Sequence, residues 1–248
     1  MAVVVAFKWA PDPQDGRVAD DGAIDWSGAA TSAVGDDAVA VEVARQTAES
    51  LGQEAVGITL GRKNADWALA RGADRVIAVD ADLAGASDDL RAAVLAALAR
   101  RVDGADTVII GDSAVDSGAA VVPSLLAATL GRPGLLGATG VATDGTAITV
   151  ERRTRDAVVT VKVDGPAVIA VAADAATPRV PGMRDVLMAR KRPIETVELA
   201  ELGVDAPGAE LLTSRRTDSG RQAQLFDGAD PQQAARQLVA ALRSAEAV

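Results

Sequence analysis

Short unbroken apolar runs alternate along the first half of this chain with longer Ala- and Leu-striped segments, and no other feature limits the fold so strongly. Val3 to Phe7 is β-branched and ends at Ala10-Pro11-Asp12-Pro13, which is how a strand buried on both faces of a parallel sheet reads. Asp36 and Asp37 are placed to cap a helix through Val41, Ala44, Ala48 and Leu51, with Gly52 to end it. Ala55 to Leu60 reads as a strand, Ala65 to Arg71 as a short helix closed by Gly72, and Val76 to Val79 as a strand. Leu90 to Arg101 carries the stripe Leu90, Val94, Leu95, Leu98 of a helix. Thr107 to Ile110 is a further strand, followed by the loop Gly111 to Gly118 and a helix through Leu125, Leu126 and Leu130 that Gly131 ends. Such units specify α/β architecture: a mostly parallel, twisted sheet in three layers, with helices on both faces.

From about Gly134 the period changes. Ile148 to Arg152 and Val158 to Val163 alternate as a hairpin does, and Ala167 to Ala172 is a third, apolar strand. The basic stretch Met188-Ala189-Arg190-Lys191-Arg192 reads as helix stopped by Pro193. Residues 204 to 229 hold little apolar content and cannot bury enough surface to fold alone. Asp230-Pro231 then starts an amphipathic helix with Ala235, Leu238, Val239 and Leu242 on one stripe. The expected organisation is an α/β domain over 1–193 and an extended C-terminal arm over 194–248 that docks on its own domain or on another chain.

Composition removes whole classes of chemistry. The 248 residues include no His and no Cys, so no Ser-His-Asp or Cys-His nucleophile, usual zinc site, iron-sulfur cluster or disulfide is available. A net charge of -10 argues against a nucleic-acid partner, which wants clustered basic residues. No apolar run approaches the length of a membrane span, and the opening residues MAVVVAFKWAPDP lack a basic leader, so a cytoplasmic protein is expected.

Open parallel sheets bind ligands beyond the carboxyl ends of their strands, which directs attention to the loops after Phe7, Leu60 and Ile110. Gly111-Asp112-Ser113-Ala114-Val115-Asp116-Ser117-Gly118 offers N–H groups, hydroxyls and a following helix start for an anion or a ribose, or is an ordinary connection. Neither GxGxxG nor a phosphate-loop lysine motif is present. Asp37, Asp112 and Asp116 read as general acids or metal ligands, or as helix caps and solvated loop carboxylates. Trp9, Trp26 and Trp67 read as packing residues or as a stacking platform.

The start VVVAFKWAPDP, the stretch Asp37 to Ala44, Gly72-Ala73-Asp74-Arg75, the loop Gly111 to Pro133 and the segment PRVPGMRDVLMARKRPIE (Pro178 to Glu195) resemble the β subunit of electron-transfer flavoproteins, in bacterial form. The resemblance implies a Rossmann-like, adenine-nucleotide-hydrolase-like fold and no catalytic residues. It further implies an electron carrier paired with an α subunit that holds most of the FAD, with acyl-CoA dehydrogenases as donors and a quinone-linked acceptor. By matching position, AMP contacts would come from Ala6, Val34, Asp36, Asp37, Gly57, Leu60 and the loop residues Gly111, Asp112, Ser113, Asp116, Ser117, Gly118, Ala119, Ala120, Val121 and Val122. Docking contacts would come from Pro178, Arg179, Met183, Arg184, Arg190 and Lys191, with Met183 as the apolar tip.

The chain also departs from the pattern. Many members have Asn-Pro-Phe where it has Val34-Gly35-Asp36, and Asn-Gln-Thr-Gly where it has Ala120-Val121-Val122-Pro123. The amide and hydroxyl donors to the AMP phosphate are missing, and Pro123 lacks an N–H. Ser117, Gly118 and main-chain groups are left as local donors. Two rival readings are a bifurcating-type β subunit carrying its own FAD and a stand-alone adenine-nucleotide-binding sensor module.

Overall fold

Nine strands of one sheet carry the molecule, in a computed structural model that describes residues 1–33, 35–81, 83, 85–204, 212–213, 215–217, 220 and 223–245. In chain order they are β1 (Ala2–Phe7), β2 (Glu54–Thr59), β3 (Arg75–Val79), β4 (Ala105–Gly111), β5 (Gly134–Thr143), β6 (Ile148–Arg153), β7 (Val158–Val163), β8 (Ala167–Val171) and β9 (Glu195–Val197). The helices are α1 (Asp36–Leu51), α2 (Asp66–Ala70), α3 (Asp88–Arg100), α4 (Val122–Leu130), α5 (Met183–Ala189) and α6 (Pro231–Ser244).

The strands lie in the order β7-β6-β5-β8-β4-β1-β2-β3-β9. Every neighbouring pair from β5 to β9 is parallel, and β5, β6 and β7 pair antiparallel. All six residues of β1 are buried because both faces of the sheet are covered. Val3, Val5 and Phe7 join a core with α1, α2 and α5, while Ala2, Val4 and Ala6 join a second core with α3 and α4.

Local chemistry sets the helix ends. Gly52 and Gly131 take the left-handed conformation that terminates α1 and α4. The Ser87 hydroxyl accepts from the Leu90 N–H at the start of α3, and the Asp230 carboxylate accepts from Gln232 and Gln233 at the start of α6. Asp36 and Asp37 depart from expectation. They occupy the first turn of α1, after Gly35 in the cap position, and neither makes a side-chain cap bond. Their charge still suits the helix dipole there, but their carboxylates are used elsewhere.

Two strands carry no clear sequence period. The Gly134–Thr143 strand fills the gap between β8 and β6, and the Glu195–Val197 strand extends the sheet beyond β3. Residues just past 194 therefore belong to the sheet. The basic helix expected at 188–192 is also different: α5 starts at Met183 and stops at Ala189, so Arg190, Lys191 and Arg192 follow its end. Asp185 explains the earlier start, since its carboxylate accepts from the Gly182 N–H at 3.0 Å.

The chain divides into two compact units, Met1–Arg17 with Ile24–Thr213, and Val18–Ala23 with Ser214–Val248. Within the second, α6 buries none of its residues, and Leu238 and Val239 stand exposed on its apolar stripe. Among the described residues no helix is long and apolar enough to cross a membrane.

Candidate functional site

β1, β2 and β3 wind outward in one direction, after which the chain returns to place β4 on the other side of β1. The helices that follow, α1 after β1 and α4 after β4, pack on opposite faces. A crevice must open where the two connections part, beyond the carboxyl ends of β1 and β4. An open cleft of ≈ 550 Å³, counted with its solvent-filled mouth, lies there.

Of the residues singled out from the sequence, Ala6, Asp37, Leu60, Gly111, Asp112, Ser113, Ala119 and Val122 line this cleft. Asp36 and Asp116 stand behind the wall, bonded to lining residues Ser113 and Lys8. Gly57 is buried within β2, where a Cβ would come 3.0 Å from Phe7 and from Val76; its role is close packing under the floor. Ser117, Gly118, Ala120 and Val121 form the exposed outer part of the loop. Val34 lies outside the described residues.

Phe7, Lys8, Asp88, Arg91, Leu95, Ile110, Ala114 and Pro123 complete the lining. Phe7 and Lys8 were within reach of the rule that ligands sit at strand ends. Arg91 and Leu95 come from α3, four residues apart on one helical face, and nothing local in the sequence marks them.

The polar groups of the cleft are already engaged with one another. Lys8 Nζ donates to Asp116 Oδ1 at 2.7 Å, and the Lys8 N–H donates to Asp37 Oδ2 at 3.3 Å. Both the N–H and the hydroxyl of Ser113 donate to Asp36 Oδ2, at 3.0 and 3.2 Å. Asp112 Oδ1 accepts from the Gly137 N–H at 2.9 Å, tying the loop to β5. The Gly118 N–H donates to the Ala114 carbonyl and the Ala119 N–H to Ser117 Oγ. Gly118, expected as a ligand donor, is spent on closing its own loop.

Two carboxyls respond in opposite directions. Burial pushes Asp37 up to about 7; the Lys8 N–H and charge oppose the rise, and Asp36 and Asp116 add to it. Burial also acts upward on Asp116, but the Lys8 hydrogen bond and charge outweigh it, and Asp116 falls below its ordinary value. Among the described residues no group of three or more acidic side chains is arranged to hold a metal ion.

These residues do not fit an AMP phosphate. The Ser113 N–H holds the chain's own Asp36 carboxylate, the Ala114 and Gly118 N–H groups close the loop on itself, Lys8 is paired with Asp116, and Pro123, second in α4, has no N–H. A flavin diphosphate would need the same donors.

The second set of singled-out residues gathers around α5. Val180, Met183, Leu187 and Met188 are all exposed, Met183 at 76%. Arg184, Arg190 and Lys191 are exposed beside them. Pro178 is half-buried, and Arg179 turns back to place Nε 3.3 Å from Glu42 Oε2 on α1. Glu42 is buried, and its other oxygen, Oε1, accepts from Arg45 and Gln46; these bonds and the neighbouring charges overcome burial and hold its carboxyl below the ordinary range. At the other end of the segment, the Arg192 guanidinium donates to the carbonyls of Ala73 and Asp74. The apolar tip thus stands on a stem fixed at both ends.

The aromatic residues pack rather than offer a platform. Trp67 lies 5.6 Å from Phe7 and 6.4 Å, edge-on, from Trp9, with the Arg71 guanidinium 4.1 Å from its ring centre. Trp26 lies against Gly16.

The strands β2 to β9, the helices α1 to α5 and the apolar tip fall within one matched region, with β1 ahead of it. Over residues 29–202 the chain matches the electron transfer flavoprotein domain, and it belongs to that family.

Proposed function

We propose that the chain is the β subunit of a heterodimeric electron-transfer flavoprotein, acting in the cytoplasm as a non-catalytic scaffold. The FAD sits mainly on an α subunit and supplies the redox chemistry. This chain supplies position: its sheet carries the partner, and α5 displays the tip that meets electron-donating dehydrogenases, acyl-CoA dehydrogenases among them. The electrons then pass toward a quinone-linked acceptor.

The observation that carries this reading is the tip itself. Met183 and its apolar neighbours are presented to solvent with Arg184, Arg190 and Lys191 on the rim, on a chain whose net charge is -10. A small apolar anchor ringed by charge suits a fast, short-lived encounter, because the charges steer approach and the small contact releases quickly. The arm fits the same account, since the uncovered stripe of α6 is a surface for the α subunit.

The bifurcating alternative, with FAD on this chain, finds Ser113 and Lys8 already engaged by Asp36 and Asp116. A stand-alone sensor leaves the fixed stem and the exposed tip without a purpose.

Stopped-flow reduction of the αβ complex by a reduced dehydrogenase tests the docking role. Met183→Ala is expected to slow transfer about tenfold, the effect of losing an anchor contact worth about 1.4 kcal/mol, with flavin content retained. Transfer at the unaltered rate would remove the tip from the account.

A further inference from the structure

Glu42 sits in the middle of α1 at 4% exposure, between the buried apolar positions Val41 and Val43. A carboxylate taken out of water needs partners for both oxygens, and this one divides them between two parts of the chain. Oε1 stays within α1, accepting from Arg45 at 2.7 Å and from Gln46 at 2.8 Å, one turn on. Oε2 makes no hydrogen bond; what faces it is the charge of the Arg179 guanidinium, 3.3 Å away. Gly72, just past the end of α2, makes room for the arginines. A Cβ there would stand 2.6 Å from Arg45 Cδ and 3.3 Å from Arg179 Nη1, and its φ of +99° suits glycine. Glu42 therefore lies where α1, the end of α2 and the entry to α5 meet. Only Val180-Pro181-Gly182 separates Arg179 from Met183. A buried ion pair adds little stability over apolar residues of the same volume; what it supplies is one fixed arrangement of the elements it joins.

We propose that Glu42 is a positioning residue for the docking tip: through Arg179 it fixes where Met183 is presented, without itself meeting a partner. The proposal rests on the docking role of α5. Buried as it is, Glu42 cannot touch a dehydrogenase, so its effect on an encounter passes through Arg179. Without the carboxylate charge the segment entering α5 takes several paths and the tip several positions. Docking then weakens, while electron transfer within the docked complex keeps its rate.

Stopped-flow reduction of the αβ complex at increasing concentrations of a reduced acyl-CoA dehydrogenase tests this. Two variants serve: Glu42→Gln, which removes the charge, and Arg179→Gln, a half-exposed site whose loss leaves the Glu42–Arg45 pair in place. Each is expected to raise the half-maximal dehydrogenase concentration roughly fivefold, within the range of coupling between residues of one network, with limiting rate and flavin content retained. Added to Met183→Ala, either should change that concentration by at most about twofold, because the tip it positions is already gone. A purely structural role would instead lower melting temperature and flavin content and leave the half-maximal concentration unmoved. That result, or full additivity with Met183→Ala, overturns the proposal. Should Glu42→Gln fail to assemble, Arg179→Gln decides alone. Met183→Ala separates the two ideas: unaltered transfer in that variant removes the docking role and this proposal with it. Slow transfer in Met183→Ala beside unaltered transfer in Arg179→Gln removes the positioning role alone.

Discussion

The Asp37 carboxyl, raised to about 7 from an ordinary 3.8, makes the stability of the cleft depend on pH. Below about pH 4 the group is protonated in both folded and unfolded chains. Between 3.8 and about 7 the unfolded chain has released a proton that the folded chain keeps, so stability is lost as pH rises and the loss is complete above the folded value. The gap corresponds to at most about 4 kcal/mol, and water in the cleft mouth reduces it. Lys8, Asp36 and Asp116 are the charged groups that face Asp37 and set where the loss occurs. Asp37→Asn should remove this component: in urea denaturation from pH 4 to 8, the wild type should lose stability relative to the variant. A constant difference across that range would mean that the Asp37 carboxyl is not raised in the folded chain. From the sequence alone, Asp36 and Asp37 read as caps or solvated acids. Their partners Ser113 and Lys8 lie 77 and 29 residues away, and no local pattern reports contacts of that range. Gly111 is similar: a Cβ there would stand 2.9 Å from the Asp36 Cβ, a constraint created only when α1 meets β4.

At the scale of elements, legibility follows burial. β1, β2, β3, β4 and β8 are apolar runs buried on both faces, and α3 and α4 show their stripes, so each is readable from its period. The Gly134–Thr143 strand is not, because Gly134, Gly137 and Gly140 interrupt it and most of its side chains are half-buried. Glu195–Val197 is too short to show any period. In α5 the basic run suggested helix, whereas those charges follow the helix end, where positive charge suits the dipole. α6 was fully legible, from its Asp230-Pro231 start to its stripe, and that stripe is where an element-level prediction belongs. Leu238 is half exposed, so Leu238→Asp should change the stability of the isolated chain by less than about 0.5 kcal/mol. It should nevertheless weaken assembly with an α subunit, measured by analytical ultracentrifugation of the mixed chains. Unaltered assembly would take α6 out of the interface.

For the whole molecule, the sheet and the family fix an electron-transfer flavoprotein setting, and the distribution of groups says what this chain adds. It has no His and no Cys, and Ser113 and Lys8 in its switch-point cleft are bound to its own acids. What it presents outward is a fixed apolar tip and an amphipathic helix. On the proposed reading, a molecule built in this way contributes position to a cofactor held by another chain. The direct measurement is the visible absorbance and nucleotide content of the chain purified alone and after co-expression with an α-type subunit. The account predicts a colourless chain alone, and a 1:1 yellow complex with one FAD and no AMP. A chain that stays alone and colourless beside its candidate partner, or one that carries FAD by itself, would contradict it.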